Sequence, residues 1–191
     1  VEWTAHVLSQ FRDEEKSRML SQRPEHVNVS RTRHGHGPIY QTTLFVKLLT
    51  LFANKFASLD AEGIGIEMEA DKPSWYDALN GLPGLLGSSL PETFELKRLA
   101  LFLIQVLEDN ETAAQSEVAL PLELVEFLRK LSAALLKHFG EKRPDKNFIF
   151  WNAASTFKEK FREETLFGPS GRERKMPLSE IKAFLEHARE K

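Results

Sequence analysis

Pro91-Glu92-Thr93-Phe94-Glu95-Leu96-Lys97-Arg98-Leu99-Ala100-Leu101-Phe102-Leu103-Ile104-Gln105-Val106-Leu107-Glu108 predicts a helix with apolar side chains on every side. Such a helix is buried on most of its faces. The same helical period recurs outward in both directions. Residues 40–58 carry Leu44, Phe45, Leu48, Leu49, Phe52 and Phe56 in one stripe, with Gly37 as a break and Pro38 as a suitable start. Residues 117–139 repeat it with Leu124, Val125, Leu128, Leu131, Leu135 and Phe139, and Gly140 is a plausible stop. A further helix is expected over 147–166, apolar at Phe150, Phe157 and Phe161 and charged elsewhere at Lys158, Glu159, Lys160, Arg162 and Glu163. The last starts near Pro177 or Ser179 with Leu178, Ile181, Phe184 and Leu185 inward. Near the N-terminus, Trp3, Val7, Leu8 and Phe11 fall on one helical face, followed by a charged run from Arg12 to Arg18. The expected fold class is all-α: about six helices in one unit spanning 1–191, with no repeated motif.

The chain has 191 residues, the size of one domain or of a piece of a larger one. A formal net charge of −2 argues against electrostatically driven binding to nucleic acid or an anionic membrane. With no cysteine, disulfides, thiol catalysis and cysteine metal sites are excluded. No run of about 18 apolar residues suits a membrane span. Val1 opens the chain without a basic-then-apolar leader, so a cytoplasmic location and an excised or processed fragment are expected.

Two stretches break the helical pattern. In the second, residues 60–91, Ile64, Ile66 and Met68 alternate with Gly65, Glu67 and Glu69, which predicts one short strand near 64–69. Glu67 and Glu69 would then share a face. Gly81, Pro83, Gly84, Gly87 and Pro91 make the remainder an irregular loop, and loops this long are usually functional or disordered. The run Asp71-Lys72-Pro73-Ser74-Trp75-Tyr76-Asp77-Ala78-Leu79-Asn80-Gly81 sets two aromatics beside a carboxylate. Aromatic rings stack on the C–H faces of sugars, and a carboxyl packed on an indole is desolvated, so its pKa rises. A raised pKa suits a general acid. Trp75 as a core anchor and Asp77 as a helix N-cap explain the same residues.

Trp75-Tyr76-Asp77-Ala78-Leu79-Asn80 resembles the Trp-Asn-Asp-x-x-Asn signature of the cellobiose phosphorylase family, glycoside hydrolase family 94. The run from Asp71 to Arg98, with Gly81-Leu82-Pro83-Gly84-Leu85 and Pro91-Glu92-Thr93, looks like a divergent branch of it. The resemblance implies a six-hairpin (α/α)6 barrel, of which six helices are about half. It implies Asp77 as general acid and Trp75, Tyr76 and Asn80 against the sugar. Tyr76 stands where Asn is usual, and neither the family's Tyr/Phe-Arg-Asp-Gln motif nor its His plus Gly-Gly phosphate segment is present. It further implies inorganic phosphate as co-substrate, an oligosaccharide or disaccharide as partner, no metal and no organic cofactor.

The first irregular stretch, residues 22–38, leads into Arg31-Thr32-Arg33-His34-Gly35-His36-Gly37-Pro38-Ile39-Tyr40. Arg31, Arg33, His34 and His36 together can hold an anion such as phosphate. Glycines allow close backbone approach, and a helix starting near Pro38 adds its positive end. A solvated polar loop, or a His-x-His metal site joined by His26, are the other readings. Glu67, Glu69 and Glu92 are alternative acids or bases. An inverting hydrolase needs a base carboxylate about 6.5–9.5 Å from the acid. For Glu67 and Glu69 a solvated strand face is the simpler reading, and for Glu92 a first-turn helix acid. Trp3 and Trp151 read as core, His138 and His187 as cations near helix C-termini, and Arg172-Glu173-Arg174-Lys175 as a solvated loop.

The expectation is therefore part of an inverting glycoside phosphorylase, inactive as 191 residues alone. An inverting hydrolase on the same scaffold and a non-catalytic helical interaction module are the alternatives. Half a barrel leaves apolar edges, so self-association or cover by the remainder of its own chain is expected.

Overall fold

A computed structural model describes residues 2–4, 7–9, 13–23, 29–67, 88–109 and 116–191. In chain order the described elements are β1 (Glu2–Thr4), β2 (Val7–Ser9), α1 (Glu14–Ser21), α2 (Leu44–Phe56), β3 (Ile66–Glu67), β4 (Ser88–Ser89), α3 (Leu90–Asp109), β5 (Glu117–Pro121), α4 (Leu122–Gly140), α5 (Lys146–Glu164), β6 (Glu173–Pro177) and α6 (Leu178–Glu190). The chain is mostly helical, as expected, but three short antiparallel pairs, β1–β2, β3–β4 and β5–β6, modify the all-α reading.

Helices α2 to α6 share one core. Phe52 and Phe56 stack with centroids 5.9 Å apart, and Phe184 of α6 meets both edge-on. Leu124, Leu128, Leu131 and Leu135 of α4 are fully buried, as one helical stripe must be when other helices pack along it. Helix α3 departs from the expectation. It buries Leu96, Ala100, Leu103, Ile104 and Leu107 but leaves Phe94, Leu101 and Phe102 exposed.

Four boundaries differ from the sequence reading. Residues 2–4 and 7–9 form an antiparallel strand pair in which Trp3 pairs with Leu8, not a helix; Trp, Thr and Val favour strands. Helix α2 starts six residues after Pro38, where the Thr43 hydroxyl accepts the Val46 N–H at 3.3 Å. Of the expected 64–69 strand, Ile66–Glu67 pairs with Ser88–Ser89, whereas Ile64 lies in a turn closed by Asp60 and is exposed. Residues 117–121 and 173–177, expected as helix and solvated loop, form the five-residue pair β5–β6.

This pair also reveals an internal repeat absent from the sequence reading. Glu117-Val118-Ala119-Leu120-Pro121-Leu122 and Glu173-Arg174-Lys175-Met176-Pro177-Leu178 share Glu, a buried Leu or Met, then Pro-Leu. In the antiparallel register Glu117 pairs with Pro177 and Pro121 with Glu173, so a local two-fold relates them. The relation extends to single hydrogen bonds: Leu122 N–H donates to Arg172 O at 2.9 Å, and Leu178 N–H to Ser116 O at 3.0 Å. Each proline ends its strand and holds extended backbone, with ψ of 136° at both, immediately before a helix.

Candidate functional site

The Arg/His/Gly loop is a hydrogen-bonded hairpin. Arg31 bridges to Ile39, Tyr40 N–H donates to Ser30 O at 2.8 Å, and Gly37 N–H to Thr32 O at 2.8 Å. Gly35 N–H also donates to Thr32 O, closing a turn whose central residues, Arg33 and His34, have φ of 51° and 52°. Two positive φ values are what a type I′ turn requires, and Asn-Gly normally supplies them. Here a packed partner holds the conformation: Arg33 N–H donates to Ser170 O at 3.1 Å and His34 N–H to Pro169 O at 3.2 Å. Gly168, at φ 125°, lies so close to the Arg31 carbonyl that no side chain fits there. The hairpin thus presents Arg33, His34 and His36 to solvent, while Arg31 turns inward to donate to Gly37 O at 2.8 Å.

Beneath it lies Glu123, in the first turn of α4 and buried. One carboxylate oxygen accepts the Ser170 N–H at 3.0 Å; the other, Oε2, is buried without a hydrogen-bond partner. Burial raises a carboxylate's pKa, but the Ser170 hydroxyl and N–H and the nearby His34 outweigh it and hold Glu123 below its ordinary value. Tyr40 seals the edge, its hydroxyl donating to Glu173 at 3.0 Å. Glu123 and Ser170 were not marked by the sequence, because nothing local distinguishes a buried first-turn Glu from an exposed one, and Glu173 was read only as part of a solvated loop. The helix N-terminus expected at Pro38 is not at this loop, since α2 begins at Leu44. Among the described residues no three His, Asp or Glu side chains are grouped to hold a metal ion, and His26 lies outside them.

Asp77, Trp75, Tyr76, Asn80 and Glu69 lie outside the described residues. The anchors of their segment, Glu67 and Ser88, are described. Asp60 ties Ser88 to the turn before Glu67, accepting Ile64 N–H, Gly65 N–H and the Ser88 hydroxyl at 3.0, 2.8 and 2.9 Å, while Glu67 N–H donates to Ser58 O at 2.7 Å. Burial raises the Asp60 pKa, yet its donors lower it overall. Glu67 accepts the Trp151 indole N–H at 2.6 Å, and Trp151 packs on exposed Phe148 with centroids 5.4 Å apart. Trp151 is therefore half-buried and not core. Glu92 pairs with Lys55 at 2.6 Å between α3 and α2, which fits the first-turn reading, and Arg98 is engaged by Glu95 at 2.8 Å.

These anchors sit at the C-terminal end of α2, and the Arg/His hairpin sits before its N-terminal end. Thirteen helical residues separate them by about 20 Å. The hairpin and the anchors of the Asp77 segment are thus at opposite ends of the bundle.

Two further residues differ from expectation. His138 is buried, and burial, joined by the charges of Lys191 and Lys146, lowers its pKa despite the Lys146 carbonyl. Desolvation overrides the helix C-terminus that would favour a cation. Lys158, expected on an outer face, is buried and donates to the Ser58 hydroxyl at 3.2 Å.

Compared with protein-family models, curated proteins and solved structures, the chain matches none.

Proposed function

We propose that the chain binds a phosphate group on the Arg33–His36 hairpin. The observation that carries this reading is the pair of left-handed residues, Arg33 and His34, held by the 169–170 backbone with both side chains exposed. Strained backbone maintained by its surroundings is a feature of ligand clamps. A guanidinium supplies charge and forked donors, and imidazoles add hydrogen bonds to further phosphate oxygens. The test is titration with inorganic phosphate, following amide and imidazole NMR shifts. Shifts confined to residues 31–40 and lost in Arg33→Ala/His34→Ala support the reading. Shifts spread over unrelated lysines, or none, refute it.

The phosphorylase-like reading extends this to catalysis. In it, the chain is part of an (α/α)6 barrel, Asp77 protonates the glycosidic oxygen and phosphate attacks with inversion. Trp151, Phe148 and Glu67 favour sugar handling, because an indole beside a carboxylate suits a sugar's C–H face and hydroxyls. A single site requires segment 68–87 to return along α2 to the hairpin. Asp77→Asn in the full-length protein should lower phosphorolysis of disaccharides about 10²–10⁴-fold. It should spare glycosyl fluorides, which leave without a proton. Unchanged disaccharide turnover removes Asp77 as the acid, and phosphate-independent turnover points instead to the hydrolase with Glu67, Glu69 or Glu92 as base.

A further inference from the structure

A groove of about 310 Å³ runs between α4 and α5, on a face that neither the hairpin nor the Glu67 cluster uses. Its α4 wall is Lys130, Ala133, Ala134, Lys137 and His138, with Glu141 just past the helix end, and its α5 wall is Lys146, Ile149, Phe150, Ala153 and Phe157. Both sets recur at three- and four-residue intervals, so each is one continuous helical stripe. The depth has a simple origin. Ala133, Ala134 and Ala153 stand where larger side chains would otherwise fill the space between the helices, while Phe150 and Phe157 form apolar walls.

The rim carries three lysines and one carboxylate. Lys130, Lys137 and Lys146 face Glu141 alone, and none of the three forms an ion pair among the described residues. Burial, with the charges of Lys191 and Lys146, lowers the pKa of His138 on the groove floor. The volume lies at the small end of the range for small-molecule sites, roughly 300–1,000 Å³.

We propose that this groove binds a single-chain anionic amphiphile, a long-chain carboxylate whose tail lies on Ala133, Ala153, Phe150 and Phe157 and whose head meets Lys130, Lys137 or Lys146. The fit rests on matching chemistry: an apolar trough for the tail and unpaired ammonium groups for the head.

The test is isothermal titration calorimetry on the whole chain with dodecanoate, dodecanol and dodecyltrimethylammonium, each below its aggregation concentration. Dodecanoate should bind one-to-one. Ala133→Phe, at an exposed position that tolerates a larger side chain, should weaken it at least about tenfold with the unfolding midpoint unchanged. Lys130→Gln/Lys137→Gln should weaken dodecanoate about tenfold and leave dodecanol unchanged. Should dodecanoate not saturate, or dodecyltrimethylammonium bind as tightly, the proposal fails. It fails equally if stably folded Ala133→Phe and Lys130→Gln/Lys137→Gln both retain wild-type affinity for dodecanoate.

Discussion

Arg33 and His34 hold φ near +50° where each side-chain-bearing residue loses about 1–2 kcal/mol. Glycine avoids that cost but loses more conformational entropy on folding. Arg33→Gly should therefore raise stability by about 0.5–1 kcal/mol in urea denaturation while weakening phosphate binding, and a loss of stability would show that Arg33 is not strained. Glu123 makes a pH prediction. Its pKa is depressed in the folded state, so its stabilisation is complete above its ordinary value of 4.5 and is lost as pH falls through the lower folded value. Asp60 acts in the same direction from its ordinary 3.8. Urea midpoints should fall steeply with acid below about pH 4.5, and Glu123→Gln should flatten that slope, leaving the Asp60 part. At this scale the sequence exposed Arg31, Arg33, His34 and His36 as one cluster. It could not show Glu123 beneath them, because the contact joins α4 to the 168–172 loop through Ser170.

The strand–proline–helix units β5–α4 and β6–α6 are the main elements the sequence disguised. Glu117 to Leu120 continue into a helical pattern, and Arg172 to Lys175 look like a solvated loop. Neither segment makes a strand alone; each does so because the other lies antiparallel to it. Buried Leu120 and Met176 occupy equivalent places across the local two-fold. Truncating either to Ala should cost about 2–5 kcal/mol. The double variant should depart from additivity by about 0.5–3 kcal/mol, because both support one strand pair. Strict additivity in thermal or urea unfolding would mean the two units pack independently. The helices themselves were legible, since Leu124, Leu128, Leu131 and Leu135 mark α4 by spacing alone.

For the whole molecule, the outward face of α3 carries Phe94, Leu101 and Phe102 at 60%, 43% and 55% exposure. They lie on one side of the helix, with Lys97 and Arg98 on the turn between them, and exposed apolar side chains gathered on one side mark contact sites. The chain should self-associate through this face at micromolar concentrations, as read by sedimentation velocity. Phe94→Ser/Phe102→Ser should give a monomer with an unchanged helical spectrum. A wild-type monomer throughout the concentration range would refute this. No described helix is long and apolar enough to cross a membrane.

Helical period, charge balance and the turn residues of the Arg/His loop are local properties, so the amino-acid order alone determined the mostly helical class, five of the six helices within a few residues, and the cationic loop. Boundaries at Thr43 and Pro121 depended on caps and strand partners. The burial of Glu123, His138 and Lys158, and the Trp151–Glu67 hydrogen bond, depended on residues far away in the chain. The separation of the hairpin from the anchors of the Asp77 segment is likewise tertiary. Only the direction of α2 through the core places one at each end, because composition and spacing carry no information about which ends of packed helices meet.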